Sequence, residues 1–346
     1  MPKRLLPAPT ALLAAGLALL ATGLAPAARA NEVNLYSARQ EALIKPLLDE
    51  FTSKTGIKVN LVSAKADTLM QRLQSEGRNT PADVLLTVDA GNLGAAKLND
   101  LLQPLKSDAV KKAVPAAYRD NDGLWTGLSL RARPIFYARD RVKPEQLSTY
   151  AALTGAQWKG KICVRSSDNI YNQSMVAAMI ANDGEKKTEA WARGFVANFA
   201  RPPKGGDRDQ IKAVAAGQCD LAIANTYYYA EMLNAGDAAE KAAAEKVAVF
   251  WPDQQGRGVH VNISGAGIVK HARNVANARR LVEFLVSPEA QAWYAENNQE
   301  YPVRADVAIS PVLKALGSYK ADQVSMSRLG ANNARAVKLM DRAGWR

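Results

Sequence analysis

The stretch Leu221-Ala-Ile-Ala-Asn-Thr-Tyr-Tyr-Tyr-Ala-Glu231 contains a short strand, a turn and the start of a helix. Its apolar run Leu221–Ala224 predicts a buried strand. Thr226 is a good N-cap for a helix that covers about residues 227–233. The helix therefore starts at the carboxyl end of a strand, which is where open α/β folds place their ligands.

Consecutive tyrosines occupy the first turn of this predicted helix. Helical residues lie about 100° apart, so Tyr227 and Tyr228 can converge on one site while Tyr229 points largely away. The partly positive N-terminus of a helix favours an anion, here a phenolate, and adjacent phenolates favour a hard, highly charged cation. The alternative is that these tyrosines are interface or core aromatics.

The first thirty residues predict a secretory signal peptide rather than a part of the fold. A basic start at Lys3 and Arg4 precedes the apolar segment Leu12–Leu20. Ala28-Arg29-Ala30 then forms an A-x-A cleavage signal. The apolar segment is short for a membrane span. We expect a mature protein that begins at Asn31 in a bacterial periplasm, with a retained N-terminal anchor as the alternative.

The net charge is strongly basic without being concentrated. The 346 residues carry a formal charge of +12, and three of those charges, Lys3, Arg4 and Arg29, lie in the leader, which leaves +9. Lysine and arginine are scattered among acids, which argues against a nucleic-acid partner. A basic chain can instead help to hold an anion-rich ligand.

The cysteine and histidine counts limit the metal chemistry. Cys163 lies in an apolar run, and Cys219 just precedes the tyrosine-bearing strand. In an oxidising compartment this pair predicts a disulfide, with two buried free thiols as the alternative. His260 and His271 are the only histidines, which argues against a histidine-based zinc or copper site.

The order of the predicted elements indicates two lobes. The mature chain starts with a β-α-β-α-β pattern whose strands cover 31–36, 57–62 and 81–89, which favours a parallel sheet. A second α/β unit contains the tyrosine stretch. Two long extended runs, Gly127–Tyr137 and Val259–Ile268, separate the units. We therefore expect an α/β fold with two lobes joined by two crossing strands, and a ligand in the cleft between them.

The predicted division follows from these runs. Lobe 1 comprises residues 31–130 and 264–306. Lobe 2, which carries the tyrosines, comprises residues 131–263 and 307–346. Relative movement of such lobes is a common way of closing on a ligand.

Six stretches in order along the mature chain match one known family. They are Leu35–Gln40, Pro81–Asp89, Gly127–Arg133, Ile162–Gln173, Ala224–Tyr229 and Gly258–Ala266. Together they resemble the periplasmic ferric-ion-binding proteins of bacterial ABC-type iron importers, in a tyrosine-rich subgroup. The resemblance implies a type II-like periplasmic binding protein that closes on Fe(III) and passes it to an inner-membrane ABC permease.

The resemblance also implies site residues. Tyr171, Tyr227 and Tyr228 fall on the tyrosine ligand positions of the family. Arg39 and Arg131 fall where the family holds a synergistic anion, usually carbonate or phosphate. Tyrosinate is an established iron ligand, and a bound cation removes the phenol proton. Three phenolates neutralise Fe(III), and the arginines would balance the anion.

Some positions depart from the family pattern. Where some members have a histidine, this chain has Gln40, whose amide oxygen is at best a weak ligand. Where some have a glutamate, it has Val88, followed by Asp89. We therefore expect an anion or water to complete the coordination. Arg131 and Arg133 alternate onto one face of a strand, and Arg131 is the preferred anion residue.

Other functions are weighed on the same residues. We expect a monomeric binding protein with no enzymatic activity. One alternative is a periplasmic binding protein for a phosphonate, thiamine or polyamine, whose relatives share the lobes but not three convergent tyrosines. Another is an exported hydrolase, but the chain has no G-x-S-x-G or H-E-x-x-H motif.

Overall fold

The computed structural model describes Met1 and residues 31–346, so the predicted leader, apart from Met1, lies outside the described residues. The strands are β1 (Glu32–Ser37), β2 (Lys58–Ser63), β3 (Val84–Thr87), β4 (Leu102–Gln103), β5 (Thr126–Ala132), β6 (Ile135–Ala138), β7 (Ile162–Cys163), β8 (Leu221–Ile223), β9 (Val247–Phe250), β10 (Val261–Val269) and β11 (Tyr301–Pro302).

The helices of the described residues lie between these strands, singly or in groups of two or three, and after the last strand. They are α1 (Lys45–Thr55), α2 (Ala66–Glu76), α3 (Ala90–Leu98), α4 (Asp108–Ala113), α5 (Ile170–Asp183), α6 (Glu185–Val196), α7 (Asp207–Ala215), α8 (Thr226–Leu233), α9 (Ala238–Glu245), α10 (Val275–Leu285), α11 (Pro288–Asn297), α12 (Pro311–Ala315) and α13 (Met326–Arg342). Within the described part of the chain, none of them has both the length and the apolar character needed to cross a bilayer.

The first sheet has the strand order β11-β5-β10-β3-β1-β2, with β4 beside β10. β1 pairs in parallel with β2 and β3, as the β-α-β-α-β pattern predicts. β10 is antiparallel to both β3 and β5, so the prediction of a parallel sheet is wrong for the sheet as a whole. The reason is that β10 re-enters this sheet from the other lobe and runs against its neighbours.

Helix α1 illustrates how the chain covers this sheet. Its residues Leu47, Leu48 and Phe51 are buried on one face, at the spacing expected of an amphipathic helix. Gly56 ends the helix with φ of 69°, a left-handed conformation that glycine adopts without a steric penalty. The chain then enters β2 directly.

The second sheet has the order β7-β8-β6-β9. β7 and β8 are parallel, whereas β6 is antiparallel to β8 and β9. The predicted disulfide is confirmed here, because Cys163 at the end of β7 is bonded to Cys219, two residues before β8. The bond joins the start of the tyrosine-bearing strand to its neighbour.

Two segments carry the chain between the sheets. Arg133 and Pro134 separate β5 in the first sheet from β6 in the second, because proline has no N–H to donate to a continuous ladder. The return runs from the end of β9 at Phe250 to the start of β10 at Val261. These points lie a few residues from the predicted lobe boundaries, and the division itself stays a prediction.

The C-terminal helix α13 packs against α3, which follows a strand of the first sheet, and against α5, which follows a strand of the second. Gly94 of α3 and Gly330 of α13 meet where the helices cross. A Cβ atom added to either glycine would lie 2.5 Å from the Cα atom of the other, so both positions require the absence of a side chain. One helix therefore contacts helices that follow strands of both sheets.

Reduction of the disulfide should destabilise the second lobe. Cys163 and Cys219 are 56 residues apart, and releasing a loop of this size costs ~2–4 kcal/mol of unfolding free energy. Urea unfolding of the oxidised and reduced protein measures the difference. Thiol titration of the unfolded, unreduced protein should detect no free thiol, and two free thiols would contradict the bond.

Candidate functional site

A cavity of about 170 Å³ between the two lobes is lined by all of the predicted site residues. These are Arg39, Gln40, Arg131, Tyr171, Tyr227 and Tyr228. The sequence did not identify Glu231, Arg208, Glu300 and Asn298, which line the same cavity. The convergence of six residues from distant parts of the chain makes this cavity the candidate site.

The tyrosines come from the first turns of two helices. Tyr171 lies in the first turn of α5, and Tyr227 and Tyr228 lie in the first turn of α8. The hydroxyl oxygens of Tyr227 and Tyr171 are 3.3 Å apart, and the ring centroids of Tyr227 and Tyr228 are 4.1 Å apart. The predicted N-cap is wrong by one residue, because α8 begins at Thr226 and Asn225 precedes it.

Tyr229 points away from the cavity, as its helical angle predicts. Its hydroxyl group donates a hydrogen bond of 2.8 Å to the carbonyl oxygen of Val247. Its ring packs against Phe136, with the centroids 5.1 Å apart. The third tyrosine therefore anchors α8 to the second sheet.

Two phenols of the cavity, those of Tyr227 and Tyr228, are held in their protonated form by their surroundings. Burial raises the pKa of Tyr227 well above 10, and the neighbouring Tyr171 and Tyr228 raise it further, against the opposing charge of Arg131. Burial is also the main cause of the raised pKa of Tyr228. Ionisation therefore needs a strong positive charge inside the cavity, which a multivalent cation supplies.

Glu300 connects the two predicted anion residues. This carboxylate is 1% exposed and accepts hydrogen bonds from both Arg39 and Arg131. The hydroxyl group of Ser129 donates to it at 2.9 Å. Ser264 accepts from Arg39 Nη1 at 2.9 Å and from Arg131 Nη2 at 2.6 Å. Two guanidinium groups and one carboxylate leave a single positive charge at this wall.

Arg131, and not Arg133, reaches the cavity. The guanidinium carbon of Arg131 lies 5.6 Å from the ring centroid of Tyr227. No acceptor in residues 31–346 lies within hydrogen-bonding distance of its Nε atom. Arg133 instead donates to Asn172 at 2.6 Å and to Asn225 at 2.9 Å. It therefore ties together the starts of the two tyrosine-bearing helices.

Of the positions that depart from the family pattern, Gln40 and Val88 line the cavity, whereas Asp89, which follows Val88, does not. Gln40 is exposed and lines the cavity, and the carbonyl oxygen of Val88 accepts a hydrogen bond of 2.7 Å from Arg131. Asp89 is buried outside the cavity lining, where it caps α3 and accepts from Ser174 of α5 at 2.6 Å. Burial raises the pKa of Asp89 to about 7. Asp89 is therefore placed as a link between α3 and α5.

A second ion pair lines the cavity beside the tyrosines. Arg208 of α7 contacts Glu231 of α8, and its guanidinium carbon lies 5.0 Å from the ring centroid of Tyr228. Burial raises the pKa of Glu231 to about 7, although the charge of Arg208 opposes this. The sequence contained a signal for Glu231, since it follows Tyr227 by four residues and Tyr228 by three.

The donor set of the cavity consists of oxygen atoms. Among residues 31–346, no group of three or more His, Cys, Asp or Glu side chains is arranged to hold a metal. His260 is buried away from the cavity, and its backbone N–H donates to the hydroxyl group of Tyr150 at 3.2 Å. The phenols and the carboxylates of Glu231 and Glu300 are thus the acidic oxygen donors beside the space, and the Glu300 carboxylate is already bonded to Arg39 and Arg131. Such donors suit a hard cation.

The match to a known family decides the class of protein. Residues 47–321 match the family of bacterial extracellular solute-binding proteins. The chain belongs to this family. This solute-binding protein is 50% identical over 315 residues to iron uptake protein A1 of Synechocystis sp., covering 91% of this chain and 88% of the relative. It is 28% identical over 324 residues to the major ferric iron-binding protein of Neisseria meningitidis serogroup B, covering 91% and 93%.

Solved structures give the same result for the fold. A Trichodesmium protein in complex with iron and citrate ligands is 51% identical, with a TM-score of 0.88 over 91% of this chain and 100% of that chain. A ferric binding protein from Campylobacter jejuni is 39% identical, with a TM-score of 0.88 over the same shares. The predicted two-lobed α/β fold is confirmed, as is the resemblance to ferric-ion-binding proteins.

Replacing Glu300 with Gln should destabilise the protein in a pH-dependent way. The variant leaves two buried guanidinium groups without their counter-charge, which costs about 3–5 kcal/mol at neutral pH. Burial raises the pKa of Glu300, but Arg39 and Arg131 outweigh burial and hold it below its usual 4.5. The carboxylate therefore stabilises the fold above about pH 4.5, and this contribution is lost as the pH falls through the lower pKa of the folded state.

Urea unfolding at neutral pH and at successively lower pH measures this effect. The difference between the wild type and Glu300→Gln should shrink below about pH 4.5. Glu240→Gln is the control, because Glu240 pairs with Lys212 at a partly exposed position and should cost less than about 1 kcal/mol. A cost for Glu300→Gln that did not change with pH would contradict the role assigned to its charge.

Proposed function

We propose that this protein binds Fe(III) in the periplasm, as a monomer, and delivers it to an inner-membrane ABC permease. The observation that carries the proposal is the meeting of Tyr171, Tyr227 and Tyr228 in one cavity. The relatives named as iron uptake and ferric iron-binding proteins support the same cargo. A binding role without enzymatic activity belongs to the same proposal.

The charges of the cavity suit a trivalent ion. Three phenolates carry three negative charges, which balance Fe(III). The raised pKa of Tyr227 means that iron has to displace a proton, so iron binding and proton release are coupled. The α5 and α8 N-termini add positive potential that favours the phenolates once they form.

A synergistic anion, carbonate or phosphate, is the second part of the proposal. Arg39 and Arg131 would hold it, although both already share Glu300. The single positive charge that remains and the unpaired Nε atom of Arg131 favour an anion of low charge, such as hydrogen carbonate. Gln40 or water would complete the coordination from the first lobe.

The sequence of binding steps follows from where the ligands lie. The second lobe supplies the phenols, so iron would bind there first and the first lobe would close over it. Closure excludes water and strengthens the attraction between phenolate and metal. A phosphonate, thiamine or polyamine cargo would not require three converging phenols, which favours iron over these alternatives.

Replacing each proposed tyrosine ligand with Phe should abolish most iron binding. Each change in Tyr171, Tyr227 or Tyr228 removes a charged ligand with little change of shape, so we expect an affinity loss of at least about 100-fold, equivalent to ~2.7 kcal/mol. The visible tyrosinate–iron absorption should weaken in parallel. Iron titration of the purified variants, with Fe(III) supplied as a weak chelate, measures both quantities.

Tyr229→Phe is the matched control from the same run of tyrosines. It should keep the absorption band and the iron affinity. It should lose about 0.5–1.5 kcal/mol of stability, because one hydrogen bond to the carbonyl oxygen of Val247 is lost while the bond from Arg139 remains. If Tyr229→Phe were as damaging to iron binding as Tyr228→Phe, the proposed ligand set would be wrong.

Iron affinity should depend on the synergistic anion. In buffer freed of carbonate and phosphate, added hydrogen carbonate should tighten iron binding in the wild type and should have little effect in Arg131→Gln. Arg141→Gln is the control, because Arg141 pairs with Asp140 and Asp220 away from the cavity. Equal anion dependence in wild type and Arg131→Gln would assign the anion to another residue.

A further inference from the structure

Glu231 lies on the same face of α8 as the two tyrosines that point into the cavity. If Tyr227 defines the zero of helical angle, Tyr228 lies at about 100° and Glu231 at roughly 40°, between them and one turn further along. Helical side chains lean towards the N-terminus, so the Glu231 side chain leans towards the turn that carries the tyrosines.

The surroundings of Glu231 place its side chain at the wall of the cavity and not on the outer surface. Its side chain is 19% exposed and lines the same cavity as Tyr227 and Tyr228. Its partner Arg208 is more exposed, at 39%, and approaches from α7. The ion pair engages one carboxylate oxygen, Oε2, so Oε1 is available to a second partner.

We propose that Glu231 is a fourth protein ligand to the iron, supplying a carboxylate oxygen from the same helix as Tyr227 and Tyr228. The inference rests on the proposed function and deepens it. In this chain Gln40 and Val88 occupy the positions of the histidine and glutamate ligands of some relatives, so a coordination position is open. A carboxylate is the hard oxygen donor that suits it.

The added negative charge is balanced within the site. Three phenolates and Glu231 exceed the charge of Fe(III) by one, and Arg208 lies next to both Glu231 and the ring of Tyr228. Arg208 can therefore remain as the counter-charge while the carboxylate binds the metal. The other lobe keeps its single positive charge for the anion.

Glu231→Gln tests this role, because it keeps the shape of the side chain and removes its charge. We expect the affinity for Fe(III), supplied as a weak chelate, to fall by about 10–100-fold. The tyrosinate–iron absorption band should persist but shift in wavelength, since the phenolates remain and a neighbouring ligand changes. Thermal unfolding of the iron-free variant checks that the fold is retained.

The matched control is Glu240→Gln. Glu240 pairs with Lys212 of α7 at 25% and 44% exposure, close to the 19% and 39% of the Glu231–Arg208 pair, but it lies outside the cavity lining. This variant should retain the wild-type affinity and spectrum. The comparison separates the loss of a ligand from the loss of an ion pair to α7.

A double-mutant cycle that combines Glu231→Gln with Arg208→Gln tests whether Glu231 binds iron directly or acts only through its ion pair with Arg208. If Glu231 binds iron, Glu231→Gln should lower the affinity in the Arg208→Gln background as well. If Glu231 acts only through Arg208, the loss should vanish in that background, and this result would overturn the proposal. An unchanged affinity and spectrum for the single Glu231→Gln variant would also overturn it.

Failure of the proposed function would look different. In that case the wild type would take up no iron, or Tyr227→Phe and Tyr228→Phe would bind it normally. Loss of iron binding in both tyrosine variants, together with normal binding in Glu231→Gln, would leave the proposed function in place and reject only the fourth ligand.

Discussion

The charge on Glu300 holds three distant parts of the chain at one wall of the cavity. Arg39 follows the first strand, Arg131 lies near the end of β5, and Glu300 directly precedes β11. Burying three charged groups is costly unless each is paired and hydrogen-bonded. Ser129 and Ser264 provide further hydrogen bonds, so the wall carries positive charge without an unpaired carboxylate.

Arg131 and Arg133, at the end of β5, make different contacts and have different roles in the cleft. Arg131 faces Glu300 and the ring of Tyr227, whereas Arg133 bonds Asn172 of α5 and Asn225 before α8. The first arginine sets the charge opposite the phenols, and the second fixes the helices that carry them. Both lie next to the crossing between the sheets, so this wall of the site is built where the chain passes from one sheet to the other.

The orientation of the consecutive tyrosines could be predicted from the sequence because it depends only on neighbouring residues. A strand, a break and a helical angle of about 100° per residue suffice to aim Tyr227 and Tyr228 together and Tyr229 elsewhere. The antiparallel course of β10 was missed because pairing depends on how the chain returns from the other lobe. The cap was misplaced by one residue, since Asn225 and Thr226 are both good N-caps.

The role of Glu300 in the site could not have been predicted from local sequence patterns. It lies 261 residues from Arg39, and no periodicity connects a loop carboxylate to partners at that distance. Glu231, in contrast, lies only three and four residues after Tyr228 and Tyr227, so its position beside them could be read from the sequence. A carboxylate one turn along a helix is common on solvated faces, and only the cavity distinguishes this one.

Three consecutive tyrosines do not by themselves determine which two of them α8 presents to the cavity. Turned by one residue, the helix would present Tyr228 and Tyr229 to the cavity with the same chemistry, so the phenols alone do not select an orientation. The ring of Phe136 and the carbonyl oxygen of Val247 receive the third tyrosine and no other. Tyr229 thus helps to fix the rotation of α8, because its ring and its hydroxyl group are held outside the cavity by Phe136 and Val247.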